Sequence, residues 1–285
     1  MEIIKTKEEM GAVWRELKSR GRTLGLVPTM GYLHNGHVSL IKRSQKECSA
    51  TAVSIFVNPT QFGPGEDYDS YPRDRQRDID ITSKEGVDFL FIPETKEMYD
   101  ENHLSYVCVE KMDRVMCGNF RENHFRGVCT VVLKLFNIIK PDYAFFGEKD
   151  FQQLMIIKKM VKDLDVSIKI IGCETIREPD GLAMSSRNKY LSQKERINAI
   201  ILRNTILFAE EEIKKRCRNL EEIKKECLKI LNADESIKNV DYFDIRDPET
   251  LDELKSVQSS PQNILLAGAV YIGATRLIDN KVFLL

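Results

Sequence analysis

Through the first two thirds of the chain, short apolar runs alternate with amphipathic stretches. Residues 23–27 and 50–57 (ATAVSIFV) read as strands, the second rich in β-branched side chains, and 88–92, 143–146 and 166–171 follow as shorter buried strands. Between them, residues 36–46, 73–85, 128–139 and 150–163 space their apolar positions as helices do. Strands separated by helices predict right-handed βαβ units, and so an α/β architecture: a Rossmann-like parallel sheet with helices on both faces. Such a sheet binds ligands beyond the carboxyl ends of its strands.

After about Asn188 the texture changes. Residues 191–217 and 220–231 predict long helices rich in lysine and glutamate, with Ser192 as an N-cap. Residues 240–245, 264–272 and 275–284 then predict antiparallel strands, with Asp279-Asn280-Lys281 marking a turn between two short ones. The expected division is a Rossmann-like domain over residues 1–187 and a smaller C-terminal α+β domain over 188–285. The 285 residues suffice for two such cores.

Charge narrows the partners. With 43 basic and 44 acidic residues the net charge is -1, which gives no electrostatic footprint for a nucleic acid. The seven cysteines (Cys48, Cys108, Cys117, Cys129, Cys173, Cys217 and Cys227) form no C-x-x-C pair, against both a disulfide framework and a zinc ribbon. The opening MEIIKTKEEM lacks the apolar run of a signal peptide, and no stretch approaches the roughly 18 apolar residues of a membrane span. The expectation is a cytoplasmic protein without a membrane partner.

Four loops carry chemistry. The first reads Val27-Pro28-Thr29-Met30-Gly31-Tyr32-Leu33-His34-Asn35-Gly36-His37, a strand end, a turn and a helix start. Glycine allows a phosphate close approach, and the open N–H groups of a helix start attract anions. His34 and His37 are three residues apart, so both imidazoles can face one pocket. A lone histidine is usually structural, but here two of the chain's 4 histidines share one turn. No third histidine or carboxylate completes a zinc site around them.

The second loop, Gly147-Glu148-Lys149-Asp150-Phe151-Gln152-Gln153, is again a glycine turn at a helix start. Lys149 can neutralise phosphate, Asp150 can cap the helix or reach a hydrated Mg²⁺, and Gln153 can point back into the pocket. The third, Met184-Ser185-Ser186-Arg187, offers two hydroxyls and a guanidinium fork suited to outer phosphates. In the fourth, Ser54-Ile55-Phe56-Val57-Asn58-Pro59-Thr60-Gln61, the neutral amides of Asn58 and Gln61 can grip hydroxyls and a carboxylate. Simple turn chemistry is the bland alternative for Asn58-Pro59.

In this order, VPTMGYLHNGH, SIFVNPTQFG, YPRD, HFRGV, FFGEKDFQQ, DGLAMSSRN and the terminal RLIDNK resemble the pantothenate synthetase (pantoate–β-alanine ligase) family over nearly the whole chain. H-x-G-H alone is shared with a wider nucleotidyltransferase superfamily; GEKDFQQ together with MSSRN is far more particular. The resemblance implies ATP, pantoate and β-alanine as substrates, Mg²⁺, a lid role for the C-terminal domain and a homodimer. It places Pro28, Thr29, Met30, His34, Gly36, His37, Gly147, Glu148, Lys149, Asp150, Ile176, Met184, Ser185, Ser186 and Arg187 around the nucleotide. His37, His34 and Lys149 would be catalytic, with His37 the usual proton donor. Gln61 would contact pantoate and β-alanine, Gln153 and Asn58 pantoate, and Asp150 the Mg²⁺. One stretch departs: where the family has E-G-x-x-R-P before HFRGV, Cys117-Gly118-Asn119-Phe120-Arg121-Glu122 puts cysteine for glutamate and glutamate for proline.

Two other functions fit parts of this pattern. A nucleotidyltransferase sharing H-x-G-H would keep the nucleotidyl group in its product, and a non-catalytic nucleotide-binding module would bind ATP without turnover.

Overall fold

The computed structural model describes residues 1–216, 219–257 and 261–285, so Cys217 lies outside the described residues. The first part of the chain runs β1 (Glu2–Ile4), α1 (Lys7–Ser19), β2 (Leu24–Thr29), α2 (Asn35–Glu47), β3 (Ala50–Ile55), α3 (Arg75–Lys84), β4 (Phe89–Phe91), α4 (Thr95–Met98), α5 (His124–Ile139), β5 (Tyr143–Gly147), α6 (Phe151–Asp163) and β6 (Lys169–Cys173). The six strands form one parallel sheet in the order β1-β4-β3-β2-β5-β6. From β2 the chain steps outward through β3 to β4, then returns to lay β5 against the other side of β2. Right-handed crossovers that reverse direction in this way put helices on both faces and open a crevice where the order reverses. That crevice lies between the carboxyl ends of β2 and β5.

The central strands are apolar along their length because both faces are covered. Leu24, Leu26 and Val27 of β2 and Ala52 and Val53 of β3 are buried, and α2 packs on β2, β3 and β5. Val27, Ile41, Val53, Leu90 and Phe145 share one core cluster. Three elements lie outside the sequence expectation, β1, α1 and the single turn α4. Helix α1 carries its own signal, since Thr6 and Glu9 form a capping box.

The second part runs α7 (Gln193–Asn198), α8 (Ile201–Arg216), α9 (Leu220–Ala233), β7 (Ile237–Arg246), β8 (Asn263–Ile272) and β9 (Thr275–Leu284). Ser192 caps α7 in a box with Glu195, but the single helix expected over 191–217 is two, α7 and α8. The expected turn at Asp279-Asn280-Lys281 is instead the middle of β9, paired with Gly268, Ala267 and Leu266 of β8. The chain reverses at Gly273-Ala274, where Gly273 takes φ +56, the left-handed backbone that a tight hairpin requires.

Two compact units result. The first is Met1–Asp113, Arg121–Glu148 and Ile156–Ile176; the second is Arg114–Phe120, Lys149–Met155 and Arg177–Leu285. In the second, α8, α9 and the antiparallel sheet enclose Leu202, Ile206, Ile213, Ile223, Phe243 and Leu266. The change of sequence texture at Asn188 falls inside this unit, after the compact border at Arg177.

Candidate active site

Within the first unit, the loop after β2 turns directly into α2. Pro28 and Thr29 end the strand, and the Thr29 hydroxyl both donates to the Ser54 carbonyl (2.8 Å) and accepts from the Gly31 N–H (3.1 Å). His34 is the N-cap of α2. Its Nδ1 accepts from the Gly36 N–H at 3.1 Å, and His37 Nδ1 accepts from the His34 N–H at 3.2 Å. These bonds fix the tautomers. With both Nδ1 atoms accepting backbone hydrogens, each neutral ring carries its proton on Nε2. The ring centroids lie 4.1 Å apart. The result is a pair of N–H donors at the positive end of a 13-residue helix, an arrangement suited to a phosphate.

The loop after β3 presents the second cluster. Pro59 opens a short 3₁₀ turn, Pro59–Gln61, capped by Asn58. Asn58 is 1% exposed, and its amide is engaged internally. Nδ2 donates to Gln61 Oε1 and to the Gly127 carbonyl, each at 3.1 Å, while Oδ1 accepts from Thr60 Oγ1 (3.0 Å) and the Tyr99 hydroxyl (2.9 Å). Asn58 therefore orients Gln61. The Gln61 amide in turn donates weakly to Met30 Sδ at 3.3 Å, which brings the two loops together.

The backbone of Gln61 is held from α5. His124 Nδ1 donates to the Gln61 carbonyl (2.8 Å), leaving Nε2 to accept from Arg121 Nη1 (3.0 Å). Arg121 also pairs with Glu66 through two hydrogen bonds of 2.8 and 2.5 Å. Burial alone would push the Glu66 carboxyl up, but the Arg121 hydrogen bonds and charge outweigh it and hold it below the usual range. The close approach of α5 needs a glycine: a Cβ on Gly127 would lie 2.2 Å from the Thr60 carbonyl oxygen. His124, Arg121 and Gly127 thus serve the glutamine loop; in the sequence His124 and Gly127 fall in the run HFRGV and Arg121 in the divergent stretch just before it.

In the first unit Gly147 ends β5, paired with Cys173 of β6, and Glu148 follows it. Ile176 is the first unit's last residue. A cavity of about 420 Å³ in this unit, at the ends of β3 and β4, takes in Met30, Tyr32, Arg73 and Asp78 but neither histidine nor Gln61.

In the second unit, the Lys149 carbonyl accepts from Asn280 Nδ2 at 2.8 Å, and Asp150 is exposed at the start of α6. Gln153 lies in the first turn of α6 and is half-buried. Its neighbour Gln152, 5% exposed, accepts from the Cys117 N–H (3.0 Å) and donates to the Val115 carbonyl (2.8 Å), which tethers the divergent loop. Ser185 caps the short 3₁₀ helix Ser186–Tyr190, accepting from the Arg187 N–H at 3.2 Å; Ser186 is buried and Met184 half-buried. Arg177 braces the loop ahead of them by a double ion pair to Asp279 (2.7 and 2.9 Å) and a bond to the Gly181 carbonyl.

Among the described residues no group of three or more His, Cys, Asp or Glu could cage a metal ion, and the six described cysteines form no disulfide. Burial pushes the thiols of Cys129 and Cys227 up to about 12, so these are packing residues.

The family model for pantoate–β-alanine ligase matches residues 2–282. The chain is 48% identical to the pantothenate synthetase of Pseudothermotoga lettingae and 48% identical to that of Acetivibrio thermocellus, each across 99% of both proteins. The fold superposes on the crystal structure of the pantothenate synthetase of Thermus thermophilus with a TM-score of 0.90, at 40% identity over 99% of both chains. A Francisella tularensis pantoate–β-alanine ligase, solved with a β,γ-ATP compound and β-alanine, aligns at 0.76 and 38% identity over 99% of this chain and 97% of that one. On this agreement of sequence, fold and loop chemistry, the chain belongs to the pantoate–β-alanine ligase family.

Proposed function

We propose that the chain condenses pantoate with β-alanine through a pantoyl adenylate, with His34 and His37 acting on the phosphates and Gln61 and Gln153 on the acid. The observation that carries this reading is the contact of Gln61 with Met30 of the turn that presents the two Nε2–H imidazoles. The pantoate carboxylate, with a reference pKa near ~4, is ionised at neutral pH and needs no general base. It attacks the α-phosphorus, the bond to the bridging oxygen breaks, and pyrophosphate leaves. The protein supplies alignment and donors for the charge on the α-phosphate and the leaving group. The imidazoles, the start of α2, Lys149, Ser185, Ser186 and Arg187 are the residues assigned to that work.

β-Alanine then attacks the acyl carbonyl as its free amine, and AMP departs with the electron pair of the acyl–oxygen bond. Gln61 grips pantoate without trapping its carboxylate, because a neutral amide stabilises less in the ground state than a cation would. Asn58 takes part through Gln61. Shielding the adenylate from water is the lid function expected of the C-terminal region. Mg²⁺ fits only as a companion of the nucleotide, since Asp150 is a single exposed carboxylate; ions of this kind keep most of their waters and arrive with phosphates. No described helix is long and apolar enough to cross a membrane. A cytoplasmic homodimer completes the proposal, and light scattering in solution checks the dimer.

An AMP-release assay with each substrate omitted in turn tests the reaction. The expected result is pyrophosphate–ATP exchange with pantoate alone, and AMP release only when β-alanine is added. Exchange that requires β-alanine would overturn the two-step order. Product that retains the nucleotidyl group would favour the transferase, and binding without turnover the non-catalytic module.

A further inference from the structure

The histidine turn is held by a residue far from it in sequence. Gly31 and Tyr32 have φ of +87 and +51, and the second is a conformation that a bulky side chain rarely adopts. Such a pair of left-handed residues aims successive N–H groups at one point. Here that point is the Asp78 carboxylate on the first turn of α3. Oδ2 accepts from the Tyr32 N–H and Oδ1 from the Leu33 N–H, both at 2.8 Å. Asp78 is 1% exposed and Leu33 is fully buried, so no water replaces either acceptor readily.

The anchor is itself fixed. The Asp78 N–H donates to the Asp74 carbonyl at 3.0 Å, and the Asp78 carbonyl accepts from the hydroxyl of buried Thr82 at 2.8 Å. From Leu33 the chain passes straight into His34, whose N–H sets His37 Nδ1 and whose ring caps α2. We infer that Asp78 is a positioning residue of the adenylation step, its buried carboxylate setting the turn that orients His34 and His37. Burial pushes this carboxyl up, opposed by the two N–H bonds and by Arg77, whose guanidinium lies 4.9 Å from the centre of the Tyr32 ring.

The inference rests on the histidine assignment above, and the experiment separates the two. Asp78→Asn keeps the shape but turns an NH₂ toward a backbone N–H, donor against donor. Pyrophosphate release would be measured in Asp78→Asn, His37→Ala and the double variant, with melting temperatures as the folding control. The expected result for Asp78→Asn is a kcat lower by roughly ten- to a hundredfold with a much smaller change in the KM for ATP. In the His37→Ala background the same change should cost little more, because both act through one group. A normal kcat in Asp78→Asn, or losses that simply multiply, would overturn the inference and leave the histidine assignment standing. A normal kcat in His37→Ala would overturn both.

Should Asp78→Asn not fold, Gly31→Ala replaces it. Its Cβ would lie 2.9 Å from Asp78 Oδ2, and at φ +87 it also strains the turn itself, so it disturbs the Asp78–turn contact from the turn side. The same cycle with His37→Ala should again be non-additive, and multiplying losses would again overturn the inference.

Discussion

The histidine turn and the glutamine loop leave the carboxyl ends of adjacent strands, β2 and β3, yet they are held in different ways. The backbone of the turn is anchored by one buried carboxylate bonded to two of its N–H groups, and beyond it the two histidines cap each other. The loop is held by a chain of side chains, Glu66 to Arg121 to His124 to the Gln61 carbonyl, and by the close approach of Gly127. The difference follows the chemistry proposed for each. A turn that serves phosphates presents N–H donors and keeps its one negative charge absorbed behind it. A loop that serves carboxylic acids keeps its nearby cation occupied by Glu66, so the face offered by Gln61 is a neutral amide.

Breaking the turn should have the larger effect on rate. His37→Ala and His34→Ala are each expected to lower kcat by roughly 10²–10³, the loss typical of one oxyanion-type donor. They should differ in stability. Only His34 is the N-cap of α2, so His34→Ala should also cost about 0.5–2 kcal/mol in thermal or urea unfolding. A variant with normal kcat and a raised KM for ATP alone would remove that histidine from the chemistry.

Breaking the loop should read out on the acid instead. Gln61→Ala loses a hydrogen bond to a charged group and should lower kcat/KM for pantoate by roughly ten- to a hundredfold, with ATP affinity by calorimetry nearly unchanged. Gly127→Ala should pair a similar kinetic pattern with a stability loss of about 1–3 kcal/mol, since helix and loop must separate. Equal losses for pantoate and ATP would mean that the loop only supports the fold.

The smallest effect sharpens the comparison by pH. Glu66 has a folded-state pKa below its ordinary value of about 4.3, so its pairing stabilises the protein above that pH and is lost as pH falls through the lowered value. Asp78 is shifted the other way, so ionising it costs folding stability, a cost absent at acid pH that sets in as pH rises through the ordinary carboxylate range toward its raised value. Glu66→Gln should flatten the acid limb of a stability-against-pH curve, whereas an unchanged limb would show that the ion pair contributes nothing measurable there.

Much of this was legible in the chain. Strand and helix alternation placed β2 to β6 within a few residues, because strands buried on both faces must be apolar throughout. The first loop read correctly as strand, turn and helix start, since His34, Gly36 and His37 are local and their bonds span two or three residues. The middle of β9 differs from expectation because Asp279-Asn280-Lys281 has turn composition, although its backbone is fully paired to β8 and the reversal lies at Gly273. For Asn58 a neutral amide at a strand end suits the acid, and only the fold shows its burial and its internal bonds to Gln61 and Gly127.

What the sequence determined by itself was therefore the local grammar: which segments pair or coil, which loops hold the residues proposed to meet phosphate and acid, and which family they spell. The tertiary structure alone decided how those groups are aimed. Asp78 lies 45 residues from the N–H of Leu33 that it holds, His124 is 63 from the Gln61 carbonyl, and Arg121 is 55 from Glu66. Backbone N–H groups in a left-handed turn and a carbonyl on a 3₁₀ turn have no sequence signature of their own. Their partners are fixed only when the parallel sheet brings α3 and α5 up to the ends of β2 and β3, where a buried backbone N–H or C=O left unpaired is costly.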